Sequence, residues 1–157
     1  LQEILKKKSP AYLRLGKIIN ENISLSEKYN LEPGKWICIQ KSDNLLSRKC
    51  ILTTGAVIED ALKMKELTKY SEYHIYSLPI WGIKTKKKQL SQISKWDEII
   101  TLEDHIEDGG FGSFILEASI LSSNSKKTKI TIKSLDKKVC GMVGDQESLK
   151  SAIKFIN

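Results

Sequence analysis

Arginine is nearly missing from this chain. Only Arg14 and Arg48 are arginine among 26 basic residues, although the 157 residues carry a formal net charge of +7. Base-edge reading and bidentate phosphate recognition rest on guanidinium forks, so the scarcity argues against a nucleic-acid reader. The lysines fall into separate runs, Lys6 to Lys8, Lys84 to Lys88 and Lys126 to Lys129, which read as solvated loops. Cysteine is also scarce. Cys38, Cys50 and Cys140 form no CxxC pair and sit among apolar neighbours, which points to buried thiols in a reducing compartment rather than a metal site. No apolar run approaches the ~20 residues of a membrane span. The N-terminus, Leu-Gln-Glu-Ile-Leu-Lys-Lys-Lys, has no long apolar stretch or small-residue cleavage site. A soluble, cytoplasmic protein with no membrane and no nucleic-acid partner is expected.

What is present is an alternation of two periodicities. A chain of this length can bury roughly 70% of its unfolded surface without staples. From Gly34 onward, β-rich apolar runs alternate with helical stripes, the pattern of an α/β domain with a largely parallel sheet. Strands are predicted at Lys35 to Gln40, Lys49 to Thr53, Tyr73 to Leu78, Glu98 to Leu102 and Lys129 to Lys133, with a short extended piece at Val139 to Val143. Only Lys41 to Arg48 join the first two, too few for a parallel crossover, so these two are antiparallel if they are neighbours. Three helices show apolar faces. The first is Val57, Ile58, Ala61, Leu62 and Met64, with Glu59 and Lys63 outside and Lys65 snorkelling. The second is Phe111, Phe114, Ile115, Ala118 and Leu121. The third, Leu149, Ala152, Ile153 and Ile156, follows a cap at Asp145. Residues 1–30 read differently, as a tail and a polar connector.

Two junctions could carry chemistry. Thr53-Thr54-Gly55 ends a strand and opens a helix, so free N–H groups there could hold an anion, or Thr54 could simply cap the helix. Glu103, Asp104 and His105 stand at a carboxyl-terminal strand end, where open α/β sheets place ligands, and a carboxylate beside a histidine could tune proton transfer. Glu107 and Asp108 also precede a helix N-terminus, which favours negative charge. Gly109-Gly110-Phe111-Gly112 lacks the Lys-Ser/Thr of a P-loop and the spacing of a dinucleotide fingerprint, so close packing of a helix explains it more simply. Of the two histidines, His105 is the functional candidate and His74 is a strand residue. The chain contains no complete catalytic constellation and no metal signature.

Taken in order, these segments resemble one family. Ser9-Pro10-Ala11-Tyr12-Leu13-Arg14-Leu15-Gly16-Lys17 looks like the Gly-Pro-x-Tyr-x-Arg-x-x-Arg segment closing the pyrimidine-binding domain of transketolase-like, thiamine-diphosphate-dependent enzymes. Cys50 to Gly55, Ser77-Leu78-Pro79-Ile80-Trp81-Gly82-Ile83-Lys84, the acidic His-Gly-Gly element and Gly141-Met142-Val143-Gly144-Asp145-Gln146 follow in the order of that family's C-terminal domain. The resemblance implies a three-layer αβα sandwich with a mostly parallel, mixed five-stranded sheet and one antiparallel strand. Residues 1–30 would be the tail of the preceding domain plus linker, and residues 31–157 the C-terminal domain. It also implies a piece of a longer or split enzyme, consistent with a sequence that opens on Leu1, that serves dimerisation and the shape of the active-site entrance and is inactive alone.

The same resemblance gives candidate residues their roles. Lys17, Arg14 and His105 would lie at the entrance, where Lys17 could touch a sugar phosphate. Thr54, Gly55, Gly109 and Gly110 would be the helix N-termini, and Glu103 and Asp104 would serve an interface. Lys17 stands where the family has a second arginine, Ser9 replaces a glycine, and Thr85 and Lys86 depart from a common Pro-Leu-Asp. Thiamine diphosphate and Mg²⁺ would belong to upstream domains or a separate N-terminal subunit, with none held in this chain and the full enzyme a homodimer. The reaction implied is two-carbon ketol transfer between sugar phosphates. Deoxyxylulose-phosphate synthesis, the β subunit of a 2-oxo-acid dehydrogenase and a stand-alone anion-binding regulatory module are the alternatives.

Overall fold

The computed structural model describes residues 5–6, 10–13, 31–121, 128–144 and 148. Five strands form one sheet: β1 (Ile37–Gln40), β2 (Lys49–Thr53), β3 (His74–Ser77), β4 (Glu98–Ile106) and β5 (Lys129–Leu135). Their spatial order is β1-β3-β2-β4-β5. β2, β3, β4 and β5 run parallel, whereas β1 pairs antiparallel with β3. The expected mixed sheet with one antiparallel strand is therefore present. β1 and β2 are not neighbours, because β3 inserts between them, and the antiparallel pairing falls on β1 and β3 instead.

Helix α1 (Ile58–Glu66), entered through a 3₁₀ turn at Gly55–Val57, follows β2; α2 (Lys86–Ile93) follows β3; α3 (Phe111–Ile120) follows β4. Alternation along the strands sends successive side chains to opposite faces. Ile51, Ile75, Ile100 and Leu102 join Val57, Ala61 and Met64 of the α1 segment in one apolar cluster. Cys50, Leu52 and Ile99 join Ile93 of α2 and Phe111, Phe114, Ile115 and Ala118 of α3 in the other. Helices thus cover both faces of the sheet, the αβα layering that a parallel sheet requires. Each fully buried Leu, Ile or Phe in these clusters stabilises the fold by about 1.5–3 kcal/mol relative to exposure.

Several elements depart from their sequence-based bounds. β4 runs on past Leu102, because Ile106 pairs with Leu135 after a register shift, so Glu103, Asp104 and His105 belong to the strand. The piece at Val139 to Val143 is not extended strand: Lys137–Val139 is a 3₁₀ turn capped by Asp136, which accepts from Lys138 N–H at 2.9 Å. Leu121 completes the predicted α3 stripe in sequence only, since it is 54% exposed. The lysine run at Lys84 to Lys88 is not a loop but a 3₁₀ turn leading into the first turn of α2. Lys65 does snorkel, donating from Nζ to the Lys41 carbonyl. The Asp145 cap, the Leu149 to Ile156 stripe and most of residues 1–30 lie outside the described residues.

A polar clasp holds β1 to α2. The Gln89 side chain is fully buried, yet its Oε1 accepts from Trp36 Nε1 at 2.7 Å and its Nε2 donates to the Gly34 and Thr85 carbonyls at 3.1 and 3.0 Å. Gln92 adds a second rung, accepting from Trp36 N–H at 2.9 Å and donating to Gly34 O at 2.8 Å. A buried amide is tolerated only when its donors and acceptors are met in this way.

Candidate functional site at the carboxyl edge of the sheet

Strands β2, β3 and β4 end side by side, and the segments leaving them build one surface. Thr54 follows β2. Its hydroxyl donates to the Leu78 carbonyl at 3.1 Å and accepts from Trp81 Nε1 at 3.1 Å, and it makes no capping bond to the helix. Thr54 is therefore a tie between two strand ends and not the cap its position suggests. Gly55 turns the chain with φ +65°, a left-handed conformation that favours glycine. The Trp81 ring leans on Phe111 and Phe114 of α3, with centroids 5.4 and 5.0 Å away. Trp81 thereby joins the Thr54 turn to the glycine-rich turn, although it remains 37% exposed beside Ile83, which is 87% exposed.

The acidic junction divides into residues with opposite fates. Glu103 is 1% exposed, and its carboxylate oxygens accept from the N–H groups of Phe111 at 2.6 Å and Gly112 at 2.8 Å. A carboxylate from strand β4 thus caps α3, satisfying two of the amides that a helix start leaves open and meeting its positive end. Burial pushes the Glu103 carboxyl above its ordinary value, while the two amide bonds oppose that rise. Asp104 is half-buried and His105 is exposed, its Nδ1 donating to the Ile106 carbonyl at 2.9 Å. Asp108 pairs with Lys137 at 2.7 Å on the surface.

The glycines follow from this arrangement. A Cβ on Gly110 would stand 2.3 Å from Glu103 Oε2 and 2.5 Å from the Ile106 carbonyl. On Gly112 it would meet Ile132 Cγ2 at 2.5 Å and Thr101 Oγ1 at 2.8 Å. Close packing is the reason for both, as expected, but the tightest neighbour of Gly110 is a carboxylate. Gly109 has φ +69° and open space around it, so it serves the turn.

Glu103, Gly109 and Gly110 come together at the start of α3, and Thr54 and Gly55 reach them through Trp81. His105 is exposed and bonds only the neighbouring Ile106 carbonyl among the described residues. Lys17 and Arg14 lie outside the described residues. The sequence reading missed Trp81 and Gln89, whose partners are distant in the chain. A diphosphate does not fit the start of α3, since the amides of Phe111 and Gly112 are already bonded to a buried anion. Among the described residues, no three His, Cys, Asp or Glu converge to hold a metal ion, and no helix is long and apolar enough to cross a membrane.

No family model matches the sequence. Curated relatives do. The chain is 29% identical over 114 residues to 1-deoxy-D-xylulose-5-phosphate synthase of Clostridium tetani, covering 71% of this chain and 18% of that protein. It is 28% identical over 134 residues to a putative transketolase C-terminal section of Methanocaldococcus jannaschii, covering 83% of this chain and 39% of the relative. Among solved structures, a split-gene transketolase described as an inactive β4 tetramer superposes with a TM-score of 0.59 over 90% of this chain and 42% of its own. The chain is similar to the C-terminal section of transketolase-like enzymes. At 13% identity the structural similarity is one of fold. The chain spans between about a fifth and two fifths of the length of these two relatives.

Proposed function

We propose that this chain is the C-terminal section of a transketolase-like enzyme whose thiamine diphosphate and Mg²⁺ are held by other polypeptide, either upstream domains or a separate subunit. The observation that carries this reading is the match along 83% of the chain to a relative named as a transketolase C-terminal section. The carboxyl edge supports it: Glu103 fills the helix start from within, leaving Trp81 and Ile83 exposed beside it and suited to face a neighbouring domain. Residues 1–30 would be the end of the preceding pyrimidine-binding domain, carrying Lys17 and Arg14 towards the substrate entrance.

In the assembled enzyme, a homodimer, the cofactor supplies the nucleophilic thiazolium carbon for ketol transfer between sugar phosphates. This domain provides walls and contacts. A second reading, synthesis of deoxyxylulose phosphate, is favoured by relatives of that name. Co-expression with the upstream polypeptide tests both, because the product, an exchanged ketose or deoxyxylulose phosphate, separates them. By calorimetry the chain alone is expected not to bind thiamine diphosphate, and micromolar binding would overturn the proposal. Lys17→Ala in the assembled enzyme is expected to raise KM for phosphorylated substrates with little change in kcat.

A further inference from the structure

The connection from β1 to β2, residues 41–48, is tied by Lys65 Nζ at the Lys41 carbonyl, by Ser42 Oγ at the Ser71 carbonyl and by Arg48 at Asp97 and Ser94, and one further side chain, His74, reaches it at both Ser42 and Ser47. His74 begins β3 and is 5% exposed, with its ring packed on Trp96 at a centroid distance of 5.4 Å. Its Nδ1 accepts from Ser42 N–H at 3.2 Å, and its Nε2 lies 3.2 Å from the Ser47 carbonyl. A backbone N–H can only donate and a carbonyl can only accept. The ring therefore serves both as the neutral tautomer with its proton on Nε2. In that state it spans the loop near both ends. Between Ser42 and Ser47 the loop's own bonds are local: Asn44 N–H to Ser42 Oγ, Leu46 N–H to Asn44 Oδ1 and Ser47 N–H to Asn44 O, at 3.0–3.2 Å. At its tip stand Leu45 and Leu46, 68% and 89% exposed.

We propose that His74 is a pH-operated latch on residues 42–47 of this loop: the neutral ring holds them against the sheet, and a proton taken from solvent by Nδ1 breaks the bond from the Ser42 amide and loosens them, while the ties at Lys41 and Arg48 stay. Protonation consumes the lone pair that accepts from Ser42 and sets an N–H against an N–H. The surroundings make the ring hard to charge. Lys41 of the loop and Lys65 of α1 are both positive and act on it, while β2 places the neutral Cys50 beside it in register and Trp96 covers a ring face with hydrocarbon. Burial, the largest influence, holds the imidazole below its ordinary value of 6.5, against the opposing bond to Ser47. Because the folded value is depressed, the unfolded chain binds the extra proton first on acidification. The latch is fully engaged above about pH 6.5 and is lost as the pH falls through the lower, folded value. Release would loosen two exposed leucines at the amino edge of the sheet, away from the Thr54–Trp81 surface.

Amide hydrogen exchange of the ¹⁵N-labelled chain, corrected for intrinsic rates, tests the latch between pH 7.5 and pH 5. The amides of Ser42, Leu46 and Ser47 are expected to lose protection severalfold as the ring takes up its proton. Ile51 and Leu52 in β2 should keep theirs. The His74 ring shifts should report the Nε2–H tautomer at pH 7.5 and titrate together with the loss of Ser42 protection. His74→Gln should remove the pH dependence while retaining the β2 pattern. Loop protection that stays constant as His74 titrates would overturn the proposal, as would an Nδ1–H tautomer at neutral pH. The wild-type titration decides the matter even where His74→Gln does not fold.

Discussion

The two edges of the sheet handle charge in opposite ways. At the amino edge, register lines up Lys49, Glu98 and Lys129 across β2, β4 and β5, and Glu72 extends the row. Lys129 bonds Glu98 at 3.0 Å, Lys49 bonds Glu72 at 2.7 Å, and Arg48 bonds Asp97 at 2.9 Å. Most of these side chains are exposed, so each pair contributes at most about 1 kcal/mol. At the carboxyl edge one carboxylate, Glu103, is removed from water and bonded to two helix amides. Few charges buried with their partners fix geometry more firmly than many charges in solvent.

Substitutions can break this comparison in graded steps. Gly110→Ala should have the largest effect, because its Cβ would fall on Glu103 Oε2 and the Ile106 carbonyl; a loss above about 3 kcal/mol in urea denaturation, or no cooperative transition, is expected. Glu103→Ala leaves two amides of α3 without a partner and should cost about 2–4 kcal/mol. The double variant should be less unstable than the two losses added together, since removing the carboxylate relieves part of the clash. Additive losses would refute that coupling. Lys129→Ala at the amino edge should change stability by under about 1 kcal/mol, and less at high salt.

The smallest effect belongs to Thr101. Among the described residues its Oγ1, which is buried, has no hydrogen-bond partner, and it is pressed towards Gly112. Thr101→Val keeps the shape and removes the unmet hydroxyl, so it should leave the unfolding midpoint unchanged or raise it slightly. A clear loss would reveal a partner for that hydroxyl.

How much of this was readable in advance depended on where each residue's partners lie. β2 was legible to the residue, because Lys49–Thr53 is an apolar run whose both faces are covered. The end of β4 was not, since Glu103-Asp104-His105 reads as a polar turn and only its pairing with distant β5 makes it strand. Helix α2 shows no readable apolar stripe because its inward positions include Gln89, a residue that looks solvated until Trp36 and Gly34 meet it from more than fifty positions away. The glycine turn was recognised as a packing feature, but the identity of what packs there was hidden in a residue counted among the interface candidates. Thr54 was singled out correctly as a junction, and its partner Trp81 lies 27 positions on.

The Glu103 bridge also has a consequence for how the domain meets its surroundings. Helix starts commonly act as docks for phosphate drawn from solution; here the berth is plugged by the chain's own carboxylate. Buffer phosphate therefore has nothing to gain at that position, and the tautness of the α3 entry is indifferent to the metabolite level around it.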